Sequence, residues 1–172
     1  KRLGWWSPVT RGIIPLDAVH ISRSLQKNLT QFSVRVDTCF TDVMKACGSS
    51  ARPHGWINNE FIDAYTLLHR SGWANSVEVF LDEQLVGGIY GVRIGRLFAG
   101  ESMFHTHTDA SKTALVALAA LLDAAGVVLF DVQWTTEHLK SLGAVDITRD
   151  SYLRLLKEAQ KSPILRQTKT HG

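Results

Sequence analysis

The chain has 172 residues, of which 45% are apolar and 20% charged, and that balance excludes a disordered, collagen-like or disulfide-scaffold chain. A single domain of this length buries roughly 70% of the surface its unfolded chain exposes and needs no staples. The formal net charge is +3, carried mainly by the N-terminal third through Lys1, Arg2, Arg11, Arg23, Lys27 and Arg35, a patch that suits either a phosphate backbone or plain solvation.

Residues 1–30 are rich in Trp, Pro, Arg and Gly and read as irregular, with a short basic helix over Ser22–Leu29. Ser33–Asp37 alternates as a strand. Phe40, Val43, Met44 and Cys47 recur at helical spacing, and Gly48 ends that helix. Cys39 and Cys47, if on one helix, sit ~12 Å apart along its axis, beyond the ~7 Å that a disulfide spans. Both read as free thiols of a reducing, cytoplasmic compartment. After the loop Ser49–Gly55, Asn58 or Asn59 caps a helix whose expected buried stripe is Phe61, Ile62, Tyr65, Leu68 and His69, with Gly72 as its stop.

Ala74–Leu81 and Gln84–Ile94 follow as strands around Asp82-Glu83, and Arg96–Met103 as a third after Gly95. Asp109 or Ser111 caps an apolar helix to Ala125, too short and too soon interrupted to cross a membrane, which takes ~18 apolar residues. Val127–Gln133 is a buried strand. Thr135 or Thr136 caps a short helix to Leu142. Ala144–Thr148 is a strand, Asp150 caps a last helix to about Lys161, and residues 162–172 form a polar tail.

The order β-α-α-β-β-β-α-β-α-β-α is α/β (α+β): a meander followed by a parallel pair, hence a mixed sheet flanked by helices. It resembles the GNAT superfold. The turn that would cradle the pyrophosphate of acetyl-CoA reads His105-Thr-His-Thr-Asp-Ala-Ser-Lys112 and lacks the glycines such a cradle needs.

Three groups of residues carry possible chemistry. In Phe98-Ala-Gly-Glu-Ser-Met-Phe104, strict alternation puts Phe98, Gly100, Ser102 and Phe104 on one face, with Glu101 and Met103 on the other. Glu101 is there either paired with Arg96 or Lys112, or set to receive a cation. Asp131 and Gln133 end the buried strand at i, i+2, either lining a site at the sheet's carboxyl edge or capping the helix that enters at Thr135–Thr136. There, Asp131 can lock the Gln133 amide so that its carbonyl is a fixed acceptor. Trp56, in a loop, is either core or a platform for a base. His105, His107 and Asp109 lack a further soft ligand, so no metal is expected. The serine motif GxSxG is missing as well.

The segments Trp5-Trp-Ser-Pro8, His20-Ile-Ser-Arg-Ser24, Gly55-Trp-Ile57, Tyr65-x-x-Leu-His69, Leu85-Val-Gly-Gly-x-Tyr-Gly91, Leu97-Phe-x-Gly-Glu-Ser-Met-Phe104, Ala110-Ser-Lys-Thr-Ala-Leu115, Asp131-x-Gln133 and Ser141-Leu-Gly-Ala144 occur in sequence. Together they closely resemble the leucyl/phenylalanyl-tRNA–protein transferase family, bacterial aminoacyltransferases of the N-degron pathway, over residues 5 to about 155. The resemblance implies a GNAT-like fold and transfer of Leu or Phe from aminoacyl-tRNA to an N-terminal Arg or Lys, by a cytoplasmic monomer without cofactor or metal. It implies that Gln133, held by Asp131, orients the incoming amine, and that Glu101 receives the acceptor's basic side chain. Trp56 would pack on the terminal adenosine, and Arg23 and Lys27 would contact phosphates.

The donor side chain would lie among Ile89, Phe98, Met103, Leu115, Leu118 and Phe130. Leu118 stands where the family has an aromatic, Ile89 where it has Met, and Phe130 where it has a smaller aliphatic. Volume thus moves between walls of the pocket. Gln26, Asn28 and Gln31 thin the basic helix. Relatives carry a segment ahead of WWSP, so residues 1–30 are expected to be the end of an N-terminal domain, with the catalytic domain at 31–161. The alternatives kept open are a GNAT-type N-acyltransferase, a peptidoglycan aminoacyltransferase, or a tRNA-end binding module without activity.

Overall fold

The computed structural model describes residues 7–48 and 57–161. Strand β1 (Thr10–Ile13) and a 3₁₀ turn (Leu16–Ala18) precede helix α1 (Arg23–Leu29), strand β2 (Ser33–Val36) and helices α2 (Phe40–Cys47) and α3 (Asn59–Arg70). The meander β3 (Ala74–Leu81), β4 (Gln84–Ile94) and β5 (Leu97–His105) leads into helix α4 (Ala110–Ala124) and strand β6 (Leu129–Gln133). Helix α5 (Glu137–Lys140), strand β7 (Val145–Thr148) and helix α6 (Arg149–Gln160) complete the described chain.

The strands form one seven-stranded sheet ordered β2-β3-β4-β5-β6-β1-β7, in which β5 and β6 are the parallel pair. This is the mixed, GNAT-like sheet expected from the element order, with one correction. Residues 10–13 are not irregular but form β1, antiparallel to both β6 and β7. The sheet therefore reaches back into the segment assigned to a separate N-terminal unit. Gly12 is needed there, because a Cβ would lie 2.7 Å from the Trp134 backbone.

Apolar clusters cover both faces. On one, Val77, Val79, Ile89, Phe98 and Phe130 pack with Ala114, Leu115, Leu118 and Leu122 of α4. On the other, Phe40, Val43, Met44 and Cys47 of α2 pack with Tyr90 and Phe104, and α6 closes the face beside them through Ala159 against Ile13, Leu97 and Leu129.

Two helix expectations need correcting. In α3, Phe61 and Leu68 are exposed. The inward face is Ile62, Tyr65, Thr66 and His69, an i, i+3, i+4, i+7 stripe against α2 and the sheet edge. Helix α6 is capped by Thr148, whose side chain accepts from the Ser151 N–H, and not by Asp150.

The alternation expected over Phe98–Phe104 is also broken. Gly91 pairs with Gly100 and Tyr90 with Ser102, so Glu101 is the extra residue of a β-bulge. Phe98 and Phe104 consequently join opposite faces. Gly91 permits the bulge, since a Cβ there would meet the Ala99 carbonyl and the Phe98 ring.

Candidate active site

Strands β5 and β6 pair only through Leu97–Leu129, Phe98–Phe130 and Ala99–Asp131. Beyond that point they separate, and a cavity of 310 Å³ opens between their carboxyl ends. Ile89, Met103, Val132 and Leu139 give it apolar walls, while Glu101, Gln133, Thr136 and His138 bring polar atoms to it, and Trp134 stands at its rim. A crevice at the carboxyl ends of parallel strands is where α/β sheets place their sites.

Asp131 anchors the polar side. It is 2% exposed and takes both prongs of the Arg11 guanidinium, Nε at 3.0 Å from Oδ1 and Nη2 at 2.9 Å from Oδ2. Tyr152 donates its hydroxyl to Oδ2 at 2.8 Å. Burial, followed by this carboxylate, pushes the Tyr152 phenol up to about 12. Asp131 holds Gln133 through the backbone, accepting its N–H at 2.7 Å, and not through the side-chain amide. Gln133 has φ +69°, and the Trp134 N–H closes back on the Val132 carbonyl at 2.8 Å. That is a γ-turn of the rare hand, strained for a non-glycine residue, and such strain persists where neighbours over-determine it.

The Gln133 amide nitrogen lies 3.4 Å from both the Gly100 carbonyl and Glu101 Oε2. Both partners accept, which assigns the nitrogen to that side and leaves Oε1 as the acceptor. Glu101 also takes a hydrogen bond from the Tyr65 hydroxyl of α3. Burial raises the Glu101 pKa, opposed by the Tyr65 bond and Arg11 and abetted by Asp131. Burial and then Glu101 push the Tyr65 phenol up to about 12. Neither Arg96 nor Lys112 pairs with Glu101: Arg96 donates to the Gly126 carbonyl and Lys112 to Asp109.

Of the residues expected around a donor side chain, Ile89 and Met103 line the cavity. Phe98, Leu115, Leu118 and Phe130 do not. They are buried in the cluster behind it, with the Phe98 and Phe130 rings edge to face at 5.8 Å. The one-residue register change at the bulge turns Phe98 into the core, where it and Leu118 border a second cavity of 360 Å³ at the other end of the sheet. Trp56 lies outside the described residues. Arg23 and Lys27 are exposed on α1, tied to α4 by the Asn28–Asp109 hydrogen bond of 2.8 Å. Sequence reasoning missed Arg11, Tyr152, Trp134 and His138 as site residues. By charge alone Arg11 belongs to the basic N-terminal patch, whereas Asp131 engages it.

The profile of the leucyl/phenylalanyl-tRNA protein transferase family matches residues 13–157. The chain belongs to this family. A leucyl/phenylalanyl-tRNA–protein transferase of Paramagnetospirillum magneticum is 48% identical over 163 residues, which cover 92% of this chain and 78% of the relative. One from Hyphomonas neptunium is 49% identical over 164 residues, covering 93% and 64%. One from Ruegeria is 47% identical over 161 residues, covering 92% and 76%. Among solved structures, FemX superposes with a TM-score of 0.60 at 11% identity, covering 89% of this chain and 65% of that one. At that identity the likeness concerns the fold alone. Among the described residues, no helix is long and apolar enough to span a membrane, and no group of three or more His, Cys, Asp or Glu is placed to hold a metal.

Proposed function

We propose that this chain transfers Leu or Phe from aminoacyl-tRNA to the N-terminal Arg or Lys of acceptor proteins, in the cytoplasm and as a monomer. The observation that carries this reading is the Gln133 amide, fixed at the mouth of an apolar cavity and flanked by the half-buried carboxylate of Glu101. The apolar walls take the donor side chain. Gln133 Oε1 accepts from the incoming α-amine and aims its lone pair at the ester carbonyl.

A neutral amide is too weak to be a strong base, so its work is orientation. The amine nitrogen bonds to the carbonyl carbon, and the C–O bond to the terminal ribose breaks. The ribose oxygen leaves with the proton the amine sheds. Aminolysis of an ester runs downhill, so neither ATP nor coenzyme A is needed. Glu101 faces the acceptor's cationic side chain, for which a carboxylate is the natural partner. Arg23 and Lys27 contact tRNA phosphates, and Trp56 packs on the terminal adenosine. The phenolic hydroxyls of Tyr65 and Tyr152 stay protonated and serve as donors that hold Glu101 and Asp131 in place.

Against acetyl-CoA as donor stands the entry to α4. Its N-cap Asp109 has φ +65° and directs its carboxylate to Asn28 and Lys112. The carboxylate makes no bond to the helix N–H groups, but it sets a negative charge beside the entry where a pyrophosphate would have to sit. The test is direct. Charged leucyl-tRNA and an Arg-initiated peptide, incubated with the protein, yield a Leu-Arg product. Absence of product, with tRNA still bound, turns the reading into that of a binding module.

A further inference from the structure

We propose that Trp134 binds the second residue of the acceptor chain and biases transfer toward acceptors whose second side chain is apolar or aromatic. The inference rests on the transferase reading above and extends it one residue further along the acceptor. Trp134 lines the cavity that holds Gln133 and Glu101, and it is 68% exposed. Its indole has no ring or hydrogen-bond partner among the described residues. Tryptophan carries the largest apolar contact area of any side chain, and one left bare beside a substrate cavity is a surface for a ligand.

The fold holds the backbone from which the indole projects. The Trp134 N–H closes the γ-turn on the Val132 carbonyl at 2.8 Å. The β1 backbone packs against it at Gly12, where a Cβ would lie 2.7 Å from the Trp134 carbonyl carbon. The next side chain, Thr135, donates its hydroxyl to Asp146 of β7 at 2.9 Å. Only the two side-chain torsions of Trp134 remain to be ordered, so seating a ligand on the ring costs little entropy.

The transfer reaction selects the ligand. The acceptor's α-amine lies at Gln133 Oε1 and its first side chain at Glu101, and these two groups are themselves joined, Gln133 Nε2 to Glu101 Oε2, at 3.4 Å. The first acceptor residue is thus committed inside the cavity through both amine and side chain. Its carbonyl end leads out over the rim, and the second residue, with its Cα about 3.8 Å further on, is the first to leave. Trp134 follows Gln133 directly in the chain, and it is the one large apolar side chain of the cavity lining that is exposed. The donor's parts are placed elsewhere by the same reading, its side chain on the buried apolar walls and its adenosine on Trp56. The acceptor's second side chain is what remains for the indole.

The experiment compares wild type, Trp134→Phe and Trp134→Ala, with leucyl-tRNA and two peptides that differ only in beginning Arg-Phe or Arg-Gly. Wild type should use the Arg-Phe peptide about tenfold better in kcat/KM, the upper range for one aromatic contact. The difference should lie in acceptor KM, because this contact is made alike in the ground and transition states. Trp134→Phe should keep a preference of at least about threefold. Trp134→Ala should bring it below about twofold while its use of the Arg-Gly peptide and its melting temperature stay near those of wild type, as for an exposed side chain. Equal use of the two peptides by wild type, or a preference that survives in Trp134→Ala, would overturn the proposal. So would a loss in Trp134→Ala that falls on the leucyl-tRNA KM alike with both peptides, which would place the indole on the donor's adenosine. Failure of wild type to transfer to either peptide would strike the transferase reading itself, and the proposal with it.

Discussion

Arg11 and Asp131 are 120 residues apart in the chain and meet in a two-pronged ion pair, with Arg11 Nε and Nη2 at 3.0 and 2.9 Å from the two carboxylate oxygens. The pair joins β1 to the end of β6, and the same carboxylate holds the Gln133 N–H and the Tyr152 hydroxyl. Arg11→Met strands a buried carboxylate. The expected cost is about 3 kcal/mol, the low end for breaking a buried pair, because the Arg11 side chain remains 29% exposed. Chemical denaturation reads the stability. The γ-turn loosens with it, so turnover should fall more than tRNA affinity. A variant as stable and as active as wild type would remove the pair from the argument.

Most of the sheet was legible because its strands carry strong alternation or long apolar runs. Strand β1 was not. It is four residues long, contains Gly12, lies between Pro8 and Pro15, and has its partners more than a hundred residues away. Nothing local marks such a strand. Arg11 was hidden for the same reason: spacing cannot reveal a partner that only the sheet order supplies. The bulge at Glu101 was equally invisible, since the alternation from Phe98 to Phe104 is uninterrupted on paper. Yet the bulge decides which side chains reach the cavity, and it is why Phe98 belongs to the core. Asp131 and Gln133 could be read because polar residues ending a buried strand are conspicuous. His138 could not, because a histidine in a four-residue helix looks like surface.

Gln133 tests whether strain and chemistry reside in one residue. Its φ of +69° costs nothing in glycine. Gln133→Gly should therefore raise stability by about 1 kcal/mol while lowering kcat by about 100-fold or more. Gln133→Ala should lose the same activity without the gain in stability. Thermal melts and initial rates separate the two effects, and a Gly variant that keeps wild-type turnover would remove Gln133 from the reaction.

Glu101 should impose a pH dependence on acceptor use. Burial raises its pKa, so it takes up a proton at higher pH than an ordinary carboxylate as conditions become acidic. The KM for an Arg-initiated peptide should rise as pH falls from 7 toward 5, while the KM for leucyl-tRNA changes little. Glu101→Gln should show a high acceptor KM at every pH, at least about tenfold above wild type at pH 7.5, the factor that one lost charged hydrogen bond commands. Equal effects on donor and acceptor would reject this placement.

A second buried carboxylate, Glu78, lies away from the cavity on β3 and affects stability alone. It is fully buried and accepts from the Ser76 hydroxyl and from the Thr38 N–H and hydroxyl at 3.2 and 3.0 Å. Burial raises its pKa against these bonds. The folded state then holds the proton more tightly than the unfolded chain, so its contribution to stability is greatest at and below the ordinary carboxylate pKa. That contribution declines as pH rises through the folded value. Glu78→Gln keeps an acceptor for Thr38 and lets the Ser76 hydroxyl turn. It should be more stable than wild type by about 1 kcal/mol at pH 8, with the advantage shrinking toward pH 5. Parallel denaturation curves across that range would contradict the assignment.

The basic residues of α1 yield a prediction in salt. Arg23 and Lys27 are exposed on a helix held to α4 by Asn28 and Asp109, so the helix presents them without needing them for its own packing. If each neutralises one tRNA phosphate, replacing both with Gln releases two fewer counterions. The slope of log affinity against log salt should become shallower by about 1.5, and tRNA binding at low salt should weaken uniformly across tRNA species. Because Arg11 is bound to Asp131 and Arg35 to Glu83 at 2.5 Å, neutralising Arg35 by the same substitution should leave the slope unchanged. An Arg35 variant with the larger effect would move the phosphate-facing surface off α1 and onto the β2 edge.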